Sequence, residues 1–162
     1  MTRAEALATY AAGPDRLAET LAQVPLDAMT FKPSPNAWSV REIIHHLPDS
    51  ELSGVVRCRK IIAESGVTVD VYDQDVWSRG LKYQTRDTTD ALELFRFLRS
   101  YTTGLLRTVD EAVWQNNFIM HPERGRLTLD KWVVIYAEHV DMHVGQIQRN
   151  VEAWEKAGRP GS

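Results

Sequence analysis

Repeated apolar periodicity is the strongest constraint on this chain. Four segments set apolar residues at helical spacing, and turn-rich stretches separate them. The first, Thr2 to Val24, aligns Leu7, Tyr10, Leu17 and Leu21, with Gly13-Pro14 in its middle predicting a kink. Pro25 to Ala37, which holds Pro33, Pro35 and Asn36, reads as a connector. The second helix opens at Ser39. Glu42 stands three residues on, the capping-box spacing in which two orphaned backbone donors are satisfied reciprocally. Val40, Ile43, Ile44, Leu47, Val55, Cys58 and Ile62 form its buried stripe, Pro48 predicts a bend, and Gly66 predicts its end.

Val67 to Asp87 reads as a long loop in which Tyr72, Trp77 and Tyr83 stand among polar residues, the composition of a lid or an interface. The third helix is expected from a cap at Asp90, with Glu93 in the capping-box position, through Leu94, Phe95, Leu98, Leu105 and Leu106. A second irregular stretch, Asp110 to Arg126, contains Trp114, Pro122 and Gly125. The fourth helix starts near Thr128 and continues to about Lys156. Leu129, Trp132, Val133, Tyr136, Val140, Ile147, Val151 and Trp154 share its apolar face. Four helical patterns with no convincing strand run predict an all-α four-helix bundle, one domain over residues 1–162 with a frayed Gly-Arg-Pro-Gly-Ser tail.

Composition narrows the function classes. Charged residues make up 25% of the chain and the formal net charge is -3, so no strong field attracts nucleic acid or anionic lipid. Cys58 is the only cysteine, which rules out an internal disulfide and makes a cytoplasmic location the expectation. The N-terminal residues lack the apolar core of a secretory signal, and the longest apolar run, Trp132 to Ala137, falls far short of the ~20 residues of a membrane span. Cys58 falls on a buried stripe and reads as a packing residue.

Five histidines remain: His45, His46, His121, His139 and His143. His139 and His143 are four residues apart on the last helix, so their imidazoles leave one face a turn apart, as two ligands of one metal would. A third ligand would come from the second helix. The helical wheel does not choose between His45 and His46, which flank the stripe at similar angles on opposite sides. His121 follows no ligand pattern and reads as a loop residue. Glu51 and Gln146 lie one or two turns from the histidines, as supporting residues or as exposed ones, and no general base is evident.

Trp38-Ser39-Val40-Arg41-Glu42-Ile43-Ile44-His45-His46-Leu47, followed by Asp49-Ser50-Glu51, resembles the second-helix signature of the DinB/YfiT-like proteins, approximately W-S-x-x-E-x-x-x-H-L. Gly125, Thr128 and Leu129, then His139-Val140-Asp141-Met142-His143-Val144-Gly145-Gln146-Ile147, resemble the family's G-x-x-T-L and H-x-x-x-H-x-x-Q-I. Two departures stand out, an extra imidazole at His45 and a proline at position 48. The resemblance implies a bundle of the DinB/YfiT type, with His46, His139 and His143 holding zinc, nickel or a similar divalent ion and water completing the shell.

A metal on three neutral imidazoles would acidify a bound water or thiol. The family includes bacillithiol- and mycothiol-dependent transferases and isomerases, so the first expectation is a thiol S-transferase using a low-molecular-weight thiol on a small-molecule substrate. The alternatives are a metal-dependent hydrolase and a non-enzymatic, stress-related metal binder. Val134, Ile135 and Met142, apolar but off the main stripe, lead to the expectation of a homodimer.

Overall fold

The computed structural model describes residues 1–161. Four long helices dominate: α1 (Arg3–Leu21), α2 (Val40–Ala63), α4 (Thr89–Leu106) and α6 (Leu129–Lys156). The stretches between them carry two short helices, α3 (Gln74–Gly80) and α5 (Glu111–Asn116), and two short strands, β1 (Phe118–His121) and β2 (Gly125–Thr128). In the bundle α1 packs on α6 and α4, and α2 packs on the same two helices, so α1 and α2 occupy opposite corners. No helix of the described residues is long and apolar enough to cross a membrane.

The hydrophobic interior divides into two clusters along the bundle axis. One gathers Tyr10, Cys58, Ile61, Leu106, Trp132 and Tyr136; the other gathers Leu17, Ile43, Leu47, Phe95, Val140 and Ile147. Where one gives way to the other, the Arg99 guanidinium lies fully buried. Its Nε donates to Glu51 Oε2 at 2.7 Å, and Tyr10 donates its hydroxyl proton to Glu51 Oε1 at 2.5 Å. The same guanidinium donates to the carbonyls of Tyr10 at 2.9 Å and Tyr136 at 2.7 Å. All four long helices therefore meet at one polar node.

That node explains Gly13-Pro14. Pro14 has no N–H, so the Tyr10 carbonyl four residues earlier loses its helical partner. Arg99 Nη1 supplies the missing donor. Gly13 makes room for it, because a Cβ there would lie 3.1 Å from Arg99 Nη1 and 3.1 Å from Val140 Cγ2. One continuous helix from Arg3 to Leu21 thereby accommodates Pro14 in its interior. Pro48 likewise lies within a continuous α2.

The capping box at Ser39 forms in full, with Ser39 Oγ accepting from Glu42 N at 3.2 Å and Glu42 Oε2 accepting from Ser39 N at 2.8 Å. The one expected at Asp90 does not. Asp90 sits in the first turn of α4, and Asp87 Oδ1 instead takes the Thr89 N–H at 2.9 Å. The expectation of no strand is also corrected. β1 pairs antiparallel with β2, from Phe118↔Thr128 to His121↔Gly125, with Gly125 at φ +64° closing the turn. Val67 to Val69 runs beside β1, exchanging Met120 N to Val67 O at 2.8 Å and Val69 N to Met120 O at 3.1 Å. The C-terminal tail is less frayed than expected, since Trp154 Nε1 donates to Pro160 O at 3.0 Å; Ser162 lies outside the described residues. Of the three residues behind the expected dimer face, Met142 is exposed, while Val134 and Ile135 pack against the core.

Candidate functional site

His46 comes from α2, and His139 and His143 come from successive turns of α6. Crossing of these two helices brings one candidate ligand atom from each histidine within 4.8 Å of the others. His139 Nε2 lies 3.3 Å from His46 Nε2 and 3.1 Å from His143 Nε2. His45, the alternative on α2, points elsewhere. Its Nε2 lies 3.3 Å from the Arg86 carbonyl, and its ring stacks on Tyr83 at 5.5 Å between centroids.

A wall of neighbours fixes the imidazoles. Trp38 lies 4.7 Å from the His46 ring and 6.4 Å from the His143 ring, the latter nearly parallel to it. Trp38 is tied from both sides, its Nε1 donating to Asp75 Oδ1 of α3 at 2.9 Å and its carbonyl accepting from Asn150 Nδ2 of α6 at 2.7 Å. Gln146 Oε1 accepts from His143 Nδ1 at 2.9 Å, which places the His143 proton on Nδ1 and leaves the Nε2 lone pair facing the cluster.

Burial keeps all three rings neutral. Desolvation, with the nearby His143 adding to it, pushes His46 down to about 3. Desolvation and then the charges of His143 and His46 hold His139 well below the ordinary value, and desolvation outweighs the Gln146 contact at His143. His139 Nε2 faces two other ring nitrogens but can carry at most one proton, and His143 Nε2 has none to give. One of the two short nitrogen contacts therefore lacks a proton. A cation at the centre would satisfy all three lone pairs. The spacing fits, since tetrahedral bonds of 2.0–2.1 Å put neighbouring imidazole nitrogens about 3.3 Å apart.

The cluster borders two cavities. One, of about 170 Å³, is reached past His46 and His139 and is walled by Arg57, Tyr72, His121 and Tyr136. The other, of about 320 Å³, lies on the His143 side against Trp38 and Gln146; Gln74 of α3 borders both. His121, expected on a loop, ends β1 and is buried. Its Nδ1 accepts the Glu123 N–H at 3.2 Å, which leaves the ring proton on Nε2. Desolvation and then the charges of Arg57 and Arg124 keep it neutral. The advance signals for His121 were weak, a short apolar run Phe118-Ile119-Met120 leading into it and Gly125 beyond it.

Glu51 is no neighbour of the histidines in hydrogen-bonding terms; it is spent on Arg99 and Tyr10. Gln146 is the supporting residue. Of the loop aromatics, Tyr72 contacts Trp77 at 4.3 Å between centroids and walls the first cavity, while Tyr83 is buried and bonds Asp49 through its hydroxyl. Cys58 is fully buried, and desolvation raises its thiol to about 12, consistent with packing alone.

Residues 9–147 match the family model described as the DinB superfamily. The chain belongs to the DinB superfamily. Over 110 residues it is 28% identical to YfiT of Bacillus subtilis strain 168, which covers 68% of this chain and 62% of that protein. OB0782 of Oceanobacillus iheyensis is 31% identical over 110 residues, covering 68% and 63%. Both relatives are provisionally named metal-dependent hydrolases. This DinB-superfamily chain spans a little under two thirds of the length of the curated relatives it matches. Its fold matches the solved structure of B. subtilis YfiT, described as having an unusual four-helix bundle topology, with a TM-score of 0.85 and 23% identity over 96% of this chain and 87% of that one. It also matches a mycothiol-dependent maleylpyruvate isomerase, with a TM-score of 0.72 and 11% identity over 91% and 61%. These structural likenesses establish the fold.

Proposed function

We propose that His46, His139 and His143 hold one divalent transition ion, zinc or nickel, and that the chain uses it to hydrolyse a small-molecule substrate in the cavity beside His121. The observation that carries this reading is the convergence of three neutral imidazole nitrogens, one contact of which lacks a proton, on the wall of a cavity. A bound ion supplies Lewis acidity there, acidifying water and polarising a carbonyl or phosphoryl oxygen. Gln146 fixes the His143 tautomer, and Trp38 limits how far the rings can turn. His121 lines the cavity with its ring proton on Nε2, so it can serve as a hydrogen-bond donor to a developing oxyanion. Arg57 and Arg124 add positive charge to the same cavity.

His121 is what changes the order of the two enzyme readings. Thiol transfer ranked first from the sequence because the family resemblance points to thiol-dependent enzymes and because no group beside the metal managed protons; the second premise fails once His121 and Glu123 border the cavity. The names of the curated relatives favour hydrolysis as well. Thiol transfer remains a second reading because the histidine cluster borders two cavities, which suits two reactants, and because a fold neighbour is mycothiol-dependent.

The test incubates zinc- and nickel-loaded protein with a panel of esters, amides and lactones, with His143→Ala as control. Parallel reactions hold bacillithiol, mycothiol, coenzyme A or glutathione with monochlorobimane. Metal-dependent cleavage without thiol is expected. Conjugation without cleavage would put thiol transfer first, and silence in both would leave a metal-binding protein.

A further inference from the structure

A second depression adjoins the hydrolytic cavity on the side away from His143. It is a groove of about 510 Å³ between α2 and the segment 68–77, and it shares Arg57, Val71 and Tyr72 with the cavity. Arg57 and Tyr72 thus form the partition between the two spaces. The groove walls are apolar at Leu52, Val56, Val69, Val71 and Trp77. Leu52, Val56 and Val71 expose 40%, 52% and 43% of their surface, a concentration of apolar surface that the fold itself does not bury.

Arg57 gives the groove its chemistry. It donates Nη2 to the Asp70 carbonyl at 2.9 Å, which fixes the guanidinium at the partition. Its charge is felt by Tyr136 and His121 across the cavity. Yet among the described residues no carboxylate pairs with it, nor with Arg124 of the same cavity, whereas the buried Arg99 has its Glu51. A half-buried, anchored and uncompensated guanidinium between a reaction cavity and an apolar trough matches one ligand shape. That ligand is an organic anion with an apolar tail.

We infer that the substrate is an amphipathic carboxylate, its anionic group held by Arg57, its apolar tail lying along Val56 and Trp77, and its reacting group in the cavity beside His139. Charge complementarity and the continuity of groove with cavity select this occupant over a neutral tail or a protein partner. The inference takes from the hydrolytic reading only where the reacting group lies.

Three probes test it by calorimetry or by ligand-observed NMR on the metal-loaded full chain: 4-phenylbutyrate, its neutral amide, and butyrate. 4-Phenylbutyrate should bind at least tenfold more tightly than either of the others, since only it presents both charge and tail. Arg57→Gln should erase its advantage over the amide. Val56→Asp, a change at an exposed wall, should erase its advantage over butyrate. Both variants should retain wild-type metal content and circular dichroism. Equal binding of acid and amide would overturn the inference, as would a charge preference that survives in Arg57→Gln, which would place the anion on the metal, on Arg124 or on Lys60 of the groove. His143→Ala, on the far side of the cluster, should abolish ester cleavage and leave 4-phenylbutyrate binding within about twofold. Failure of hydrolysis with probe binding intact would therefore sink the hydrolytic reading and not this one.

Discussion

Gln146 Oε1 accepts the Nδ1 proton of His143 at 2.9 Å, one turn further along α6. The contact decides which ring nitrogen is free to bind an ion and holds the ring in plane. Partners of this kind are typically worth 10–100-fold in metal affinity. Gln146→Leu should therefore weaken zinc binding by about 10–100-fold, measured by competition with a chromophoric chelator, with helix content unchanged. An unchanged affinity would remove Gln146 from the site.

Glu51 and Arg99 are each 1% exposed, and removing one member of such a pair strands the other's charge in the interior. Glu51→Gln should cost about 3–5 kcal/mol in urea unfolding. Because Arg99 also replaces the donor that Pro14 lacks, Arg99→Met should destabilise at least as much. A cost under about 1 kcal/mol for either would mean that the node contributes little.

Gly54 of α2 faces the Tyr136 ring so closely that an added Cβ would collide with it. Trp132 Nε1 also donates to the Gly54 carbonyl at 3.0 Å, which keeps α2 and α6 from moving apart. Gly54→Ala should cost about 1–3 kcal/mol and lower Tm by roughly 2–4 °C per kcal/mol. A thermal scan showing no loss would indicate that Tyr136 swings aside freely.

The four long helices and the histidine pair on α6 were legible in the sequence because a period of 3.6 residues carries them. Which of His45 and His46 turned inward was legible from the family resemblance and not from the helical wheel, since adjacent residues straddle the stripe symmetrically and the packing of Tyr83 and Trp38 breaks the tie. His121 was hidden for a different reason. Two four-residue strands carry too little alternation to stand out, and their pairing with each other and with residues 67–69 is what builds the cavity wall. How α1 tolerates Pro14 was beyond local reasoning, because the donor that rescues the Tyr10 carbonyl is 89 residues away.

Protons should act against the metal-free fold. His46 lies near 3 when folded and about 6.5 when unfolded, so below pH 6.5 the unfolded chain binds the extra proton and stability falls as pH drops towards 3. The loss approaches about 1.4 kcal/mol per pH unit for each such histidine. His46→Leu should therefore show a shallower decline than wild type between pH 6.5 and 4.5 in urea titrations of the metal-free protein. Parallel declines would mean that His46 titrates near its ordinary value.

The central claim is a single metal site made by three specific histidines. Metal analysis after exhaustive dialysis of zinc-loaded protein tests it most directly, comparing the wild type with His45→Ala, His46→Ala, His139→Ala and His143→Ala. About one ion per chain should remain in the wild type and in His45→Ala, and close to none in the other three. Equal retention by the wild type and His139→Ala, whose ring nitrogen touches both others, would contradict the account.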